Sequence, residues 1–180
     1  ELAQTTSETA LVYIRVGELQ KAKELCVIAL KMRTMLHGST SIEVADALTD
    51  FAEVRELEKK YNKSKVLHDE ALQIRESVHG HEHPSVAESY ESICHVRRAV
   101  NKNERAREAM EEALAIRRAF AGDEVDPDVA YDLFELAAIL YDQGRYEEAK
   151  PYCEEALAMR QELYVVGHLL ITDSLIQQAE

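Results

Sequence analysis

The stretch that decides the fold is Ala71-Leu72-Gln73-Ile74-Arg75, which occurs three more times with small changes. The other copies begin at Ala29, Ala113 and Ala156, so the steps along the chain are 42, 42 and 43 residues. A period of this length, without strand-like alternation between copies, indicates a solenoid of stacked helical pairs. A solenoid presents a long surface, and we expect the function to lie on it.

Each unit is predicted to contain two helices. The signature Ala-Leu-x-(Ile/Met)-Arg lies in the second helix, and the pair Val-Ala, first seen at Val44, opens the first helix of the next unit. Turn formers such as Gly80 and Pro84 separate the two, as expected for a helix end and a helix start. We place the units at about 3–38, 45–80, 87–122 and 130–166, within a single all-α domain of residues 1–180.

The segment 168–180 follows Gly167 and is again apolar. Thr172 stands where the other units have the alanine of the Val-Ala pair. The segment is interpreted either as the first helix of a fifth unit or as a terminal helix that covers the fourth. In both cases its apolar face must pack against another surface.

Composition excludes several classes of protein. The chain has a net charge of −13, with 46% hydrophobic and 31% charged residues, which is enough to bury a continuous core. No apolar run approaches the roughly 20 residues that span a bilayer, so no membrane segment is predicted. Nucleic acid is a poor partner for so acidic a chain. Residues 121–162 hold 12 acidic and 3 basic side chains, which favours a basic protein partner.

The cysteines indicate a reducing compartment. Cys26, Cys94 and Cys153 are odd in number, form no C-x-x-C pair and fall on apolar helix stripes. We therefore expect all three to be buried and the protein to be cytoplasmic. Glu1 is not an initiating residue, and we expect the chain to be a piece of a longer protein.

No constellation of residues indicates catalysis. The chain lacks a Gly-rich phosphate loop, a Gly-x-Ser-x-Gly elbow and a His-Glu-x-x-His helix. The alternating histidines His79, His81 and His83 are the only group that suggests a metal, but no cysteine lies near them in sequence to complete a structural zinc site. We predict no enzyme activity, no cofactor and no metal.

The signature arginines are predicted to be structural. Arg33, Arg75, Arg117 and Arg160 lie in the last turns of second helices, where a cation complements the helix dipole. Because they are one unit apart, we also expect them to pair with carboxylates of the next unit.

The spacing of small and aromatic residues in the last unit resembles the tetratricopeptide repeat, whose usual period is about 34 residues. The longer unit here, with Gly-x-x-His-Pro-x-Val-Ala at 80–87, is similar to the kinesin light chain family. This resemblance implies a right-handed superhelix in which first helices line the concave face. The residues that carry it are Leu136-Ala137, Leu140, Gly144-Arg145-Tyr146, Ala149 and Ala156-Leu157.

One family feature is missing. Kinesin light chains usually carry Leu-Asn-Asn-Leu-Ala on a first helix, and the resemblance assigns those asparagines to holding bound peptide backbone. The matching stretches here contain no asparagine and read Leu48-Thr49-Asp50-Phe51-Ala52, Tyr90-Glu91-Ser92-Ile93-Cys94 and Leu133-Phe134-Glu135-Leu136-Ala137.

The candidate groove is the stripe of each first helix that lies opposite its core residues. Acidic groups beside aromatic ones suit an extended peptide with basic and apolar side chains. Two alternatives remain: the charges form an ordinary solvated surface, or the aromatics pack on the terminal helix between Leu169 and Ile176. The candidate residues are Asp50, Glu53, Glu91, His95, Arg98, Tyr131, Phe134, Tyr141 and Asp142.

The function predicted from the sequence is that of a protein-interaction scaffold or adaptor that binds a peptide or protein partner in the concave groove. The alternative is a structural module that associates with other copies, or with the rest of a larger protein, through the terminal helix at 168–180.

Overall fold

The computed structural model describes the backbone of residues 1–177 and the side chains of residues 1–165. Eight helices follow one another along this part of the chain, and it contains no strand. The all-α solenoid predicted from the repeat is therefore confirmed. The helices are α1 Leu2–Val16, α2 Leu19–His37, α3 Ile42–Leu57, α4 Tyr61–His79, α5 Pro84–Ala99, α6 Asn103–Ala121, α7 Pro127–Asp142 and α8 Tyr146–Gln177.

Each helix packs against the one before it and the one after it in sequence. We call α1, α3, α5 and α7 the first helices, and α2, α4, α6 and α8 the second helices, of repeats one to four. Short turns make each pair an antiparallel hairpin. The first helices form one layer of the solenoid and the second helices form the other.

The turn formers between repeats start the first helices. The Asp126 carboxylate accepts hydrogen bonds from the backbone N–H groups of Asp128, at 2.7 Å, and Val129, at 3.1 Å. Pro127 occupies the first turn of α7, where the N–H that proline lacks has no helical partner to lose. Side-chain capping and proline therefore fix where α7 begins.

The turn inside each repeat needs one residue in the left-handed backbone region. Gly17 and Gly144 provide it in repeats one and four, with φ of 83° and 74°. Lys59 and Asn101 occupy the same place in repeats two and three, with φ of 59° and 56°. Since side chains disfavour this conformation, the two middle repeats hold their turns at a cost in free energy.

The alanine and leucine of the signature have different packing roles. Ala71 and Ala113 are fully buried, which lets neighbouring helices approach closely. Leu30 packs against the core of repeat two, and Leu72 packs against the core of repeat three. The alanine therefore serves the packing between the two helices of a repeat, and the leucine joins one repeat to the next.

Helix α8 is longer than the sequence predicts. Gly167 does not end it, and the helix expected to start at 168 is the last part of α8. A lone glycine inside a helix costs only about 1 kcal/mol relative to alanine, and here no proline follows to stop the helix. The side chains of Leu169 to Ile176 and the residues 178–180 lie outside the described part of the chain, so their packing stays a prediction.

One of the three cysteines was placed wrongly by the sequence pattern. Cys26 and Cys94 are buried as predicted, but Cys153 is exposed. The three stripes look alike in sequence, but burial also depends on whether another repeat covers the helix. Burial raises the pKa of both the Cys26 and the Cys94 thiol to about 12, so these two side chains act as small apolar groups.

Candidate functional site

The candidate residues lie on three first helices. Asp50 and Glu53 are on α3, and Glu91, His95 and Arg98 are on α5. We call the exposed surface of the first helices the first-helix face. The remaining candidates belong to α7 and its end, and they are Tyr131, Phe134, Tyr141 and Asp142.

The signature arginines hold neighbouring first helices in register and so position this face. Arg117 of α6 donates from one guanidinium nitrogen to Asp132 of α7 and from the other to Glu91 of α5, at 2.8 Å. One side chain thus ties its own repeat to the next. Arg75 and Arg33 bridge in the same way, to Ser89 and Asp46 in one case and to the Glu43 carbonyl and Gln4 in the other.

The expected pairing with carboxylates of the following repeat thus holds at one of these three joints, at Asp132. The equivalent positions at the other two joints are Ser89 and Ala47. Ser89 accepts a hydrogen bond from Arg75, whereas Ala47 has no acceptor and Arg33 reaches a backbone carbonyl instead. The arginine is constant, and its partners vary.

Asp132 is fully buried, and among the side chains that the structure describes its second carboxylate oxygen has no hydrogen-bond partner. Burial raises the pKa of Asp132 to about 7, and the negative charge of Glu91 adds to this effect. Arg117 acts in the opposite direction but is shared with Glu91, so it offsets only part of the cost of burying the charge.

The first-helix face is acidic on α3. Burial raises the pKa of Asp50; the positive charge of Arg33 opposes this rise, and the neighbouring Asp46 carboxylate adds to it. Partial burial raises the pKa of Glu53 as well, with contributions from Asp50 and Glu56. Among the residues whose side chains are described, neither Asp50 nor Glu53 forms an ion pair. The charge of Asp50 acts unfavourably on Glu53, and the nearby arginines offset this only at a distance.

A cavity of about 260 Å³ lies between α3 and α5, beside these carboxylates. His68 of α4 closes its floor; it is 4% exposed and lies 2.7 Å from the Glu56 carboxylate. His68 is not among the residues predicted from the sequence. It occupies the repeat position that holds the apolar Cys26 and Met110 in repeats one and three, and a titratable residue at that position is the feature that distinguishes it. The cavity is lined by Thr49, Glu53, Glu56, His68, Ser92 and His95.

In the middle of the face, the candidate residues contact one another. The Glu91 carboxylate lies 3.7 Å from His95 Nε2, and the Tyr131 hydroxyl lies 3.4 Å from the same nitrogen. The pairing raises the pKa of His95 and lowers the pKa of Glu91. These contacts cross from α5 to α7, so this part of the face is preorganised.

Arg98 is also engaged across the repeats. Its guanidinium donates to Glu135 at 2.6 Å and to Asp142 at 3.0 Å, both in repeat four. Arg98 and Asp142 were selected from the sequence as separate contributors of charge. The structure brings them together as an ion pair, which leaves this region with little free charge.

The α7 end of the face is aromatic. Phe134 is 44% exposed, and the Arg160 guanidinium lies over its ring, 4.7 Å from the ring centre. Tyr141 is 65% exposed and contacts Tyr146 edge to face, with ring centres 5.0 Å apart. Both side chains lie one above the other on the same side of α7, seven residues apart.

The histidines of the 79–83 turn make protein contacts. His79 and His83 stack with ring centres 4.2 Å apart, and His81 pairs with Glu76 at 3.1 Å. His83 also caps α5 by accepting from the Ser85 N–H. Within the described residues, no cluster of three or more histidine, cysteine or acidic side chains is arranged to hold a metal ion. In the same part of the chain, no helix combines the length and apolarity that crossing a bilayer requires.

Comparison with known proteins agrees with this architecture. Two family models described as tetratricopeptide repeat match residues 43–119 and 135–169. No curated protein sequence matches the chain.

Among solved structures, BtubC (BKLC) from P. vanneervenii is 25% identical with a TM-score of 0.83, and the match covers 91% of this chain and 65% of BtubC. A putative kinesin light chain from Podosopora anserina is 21% identical with a TM-score of 0.77, covering 88% of this chain and 75% of that one. Aspartyl phosphate phosphatase F from Bacillus subtilis shares the fold at 16% identity, with a TM-score of 0.79 over 91% of this chain and 41% of its own. The chain belongs to the tetratricopeptide repeat proteins, and its repeats resemble those of kinesin light chains.

Proposed function

We propose that this chain is an interaction scaffold that binds an extended segment of a protein partner along its first-helix face. The observation that carries the proposal is the division of this face into two open ends with different chemistry. Unpaired carboxylates lie on α3, and exposed aromatic rings lie on α7. A binding scaffold, with no catalytic role, is also what tetratricopeptide repeats generally provide.

The α3 end favours a basic side chain. The negative charge of Asp50 raises the pKa of Glu53, so a lysine or arginine that enters between them would relieve this repulsion. The cavity beside Glu53 gives such a side chain room to leave the bulk solvent. Ion pairs that are partly withdrawn from water contribute more to affinity than pairs on an open surface.

The α7 end favours an apolar side chain. Phe134 and Tyr141 are rigid aromatic groups that keep much of their surface in water. Covering such groups supplies a large share of the binding energy in protein interfaces. Arg160 already holds the Phe134 ring in place, which reduces the entropy lost on binding.

The middle of the face separates these two ends. The ion pairs of Arg98 and the Glu91, His95 and Tyr131 contacts satisfy the polar groups there. The positions of the family asparagines hold charged, hydroxyl and aromatic side chains instead, so we propose selection of the partner by its side chains rather than by its backbone.

The experiment uses an array of 15-residue peptides in which lysines and leucines occur at varied separations. The tightest peptide is then titrated into the chain and followed by fluorescence anisotropy. We expect Phe134→Ala combined with Tyr141→Ala to weaken binding at least about tenfold, which corresponds to about 1.4 kcal/mol. Leu36→Ala, on an exposed site of α2, is the matched control and should bind normally.

The dependence of affinity on salt concentration distinguishes the contributions of the two ends of the face to binding. Binding that uses Asp50 and Glu53 should weaken between about 50 and about 500 mM salt, because ions screen partly exposed charges. Unchanged affinity of the variant that lacks both Phe134 and Tyr141 would show that the first-helix face is not the binding site. Affinity that does not depend on salt concentration would show that Asp50 and Glu53 do not contribute to binding.

A further inference from the structure

The cavity between α3 and α5 has an equivalent at the next joint, where a guanidinium of the chain itself connects the two helices. Positions of α3 match those of α5 that lie 42 residues later, and positions of α5 match those of α7 that lie 43 residues later. Arg98 therefore stands at the place of Glu56, and Glu135 stands at the place of Ser92. At this next joint Arg98 extends from α5 and donates to Glu135 of α7 at 2.6 Å.

At the joint between α3 and α5, acids take the place of that cation. Glu56, at the position of Arg98, accepts a hydrogen bond from the Ser64 hydroxyl at 2.9 Å and lies 2.7 Å from His68 Nε2. Glu53 lines the same cavity. Among the residues whose side chains are described, no arginine or lysine forms an ion pair with either glutamate. The cavity therefore holds the acidic half of an ion pair, and the chain does not supply the basic half.

The two hydroxyl groups that line the cavity present hydrogen-bond acceptors. Thr49 of α3 donates its proton to the Ala45 carbonyl at 3.0 Å, and Ser92 of α5 donates its proton to the Glu88 carbonyl at 3.0 Å. A hydroxyl that donates to a backbone carbonyl has only lone pairs left for another partner. Together with the Glu53 carboxylate, these oxygens favour a ligand with several donors that point in different directions.

We propose that this cavity selects an arginine side chain of the bound segment in preference to a lysine, and that Glu53 and Ser92 recognise it. The inference rests on the proposed function, since the segment must lie along the first-helix face. A guanidinium carries five donors in a rigid plane, so it can pair with a carboxylate on one wall and still donate to the other wall. Lysine has three donors on one strongly hydrated nitrogen, which makes its transfer into a cavity less favourable.

The next joint supports the choice of arginine. Arg98 donates from one guanidinium nitrogen to Glu135 and from another to Asp142, at 2.6 and 3.0 Å, so a single side chain serves two separated acceptors. The cavity of about 260 Å³ gives a second guanidinium room one repeat earlier. Its floor is also polar, because His68 occupies the position of the apolar Met110.

The test uses the tightest peptide of the lysine and leucine array. Each lysine is replaced in turn by arginine and by citrulline, which has nearly the shape of arginine but no charge, and every peptide is titrated into the chain by fluorescence anisotropy. We expect one position at which arginine binds at least about fivefold tighter than lysine. Citrulline at that position should bind more weakly than either.

Variants of the chain locate the preference. Glu53→Gln and Ser92→Ala should each lower the ratio of arginine to lysine affinity at that position, to about twofold or less, because each removes an acceptor from one wall. Glu70→Gln, at an exposed site of α4 that does not line the cavity, is the matched control and should leave the ratio unchanged. Phe134→Ala combined with Tyr141→Ala should weaken both peptides by the same factor. Circular dichroism of each variant confirms that the helices are intact.

The outcomes distinguish this inference from the function on which it rests. Equal affinity for arginine and lysine at every position, in a peptide that needs Phe134 and Tyr141, would overturn the inference and leave the proposed function standing. A preference for arginine that neither Glu53→Gln nor Ser92→Ala changes would also overturn it, because another part of the chain would then recognise the guanidinium. Binding of no peptide in the array would overturn both.

Discussion

At the scale of single residues, the contribution of the signature arginine to stability depends on its surroundings. Arg117 is 8% exposed and forms an ion pair with Asp132, which is fully buried. Arg160 is exposed and lies on an aromatic ring. The two residues are equivalent in sequence, so the difference between them comes from the helices that cover them.

This difference in burial predicts that the same substitution has unequal effects on stability at the two positions. Arg117→Ala leaves the buried Asp132 without its partner and should lower the free energy of unfolding by about 3–5 kcal/mol. Arg160→Ala removes an exposed contact and should change the free energy by no more than about 0.5 kcal/mol. Urea unfolding followed by circular dichroism measures both. Equal losses would show that the arginines do not act through buried joints.

At the scale of helices and turns, the two middle repeats hold a non-glycine residue in a left-handed turn. Lys59 pays a penalty of about 1–2 kcal/mol for this conformation, whereas asparagine tolerates it better. Lys59→Gly relieves that strain, although the greater conformational freedom of glycine stabilises the unfolded chain and offsets part of the increase in stability.

We therefore expect Lys59→Gly to raise the free energy of unfolding by about 0.5–1 kcal/mol, which raises the melting temperature by about 2 °C in a chain of this size. Asn101→Gly, at the same place in repeat three, is the matched control and should have a smaller effect. Thermal unfolding of both variants decides the matter, and a lower melting temperature for Lys59→Gly would contradict the assignment of strain.

The sequence predicts the helix pairs well, because capping residues such as Asp126 and turn glycines such as Gly144 act locally. It fails at Gly167, because a lone glycine with no proline after it does not stop a helix. It also fails at Cys153, because the burial of this stripe depends on contact with a first helix of another repeat, as Phe51 and Val54 of α3 pack with Cys26.

The candidate site was predictable only in part for the same reason. The helical periodicity of α3 and α7, which is a local property, predicts that Glu53 and Phe134 each lie on the side of their helix opposite the core. The pairing of Arg98 with Glu135 and Asp142 depends on how α7 is rotated against α5, and no local pattern encodes this. The contribution of His68 required knowing that α4 reaches the cavity between α3 and α5.

At the scale of the whole molecule, the joints between repeats make the solenoid a rigid support for the first-helix face. The first-helix face runs from the carboxylates of α3 to the rings of α7. An extended segment that lies along this face can therefore contact both ends at once.

The central claim is that the first-helix face binds the partner, and nuclear magnetic resonance of the isotope-labelled chain tests it most directly. On addition of the tightest lysine and leucine peptide, we expect the largest shifts of backbone amide signals around Glu53, His95 and Phe134. The second helices, including the region of Leu36, should change little. Shifts confined to the second helices, or no shifts at peptide saturation, would contradict the account.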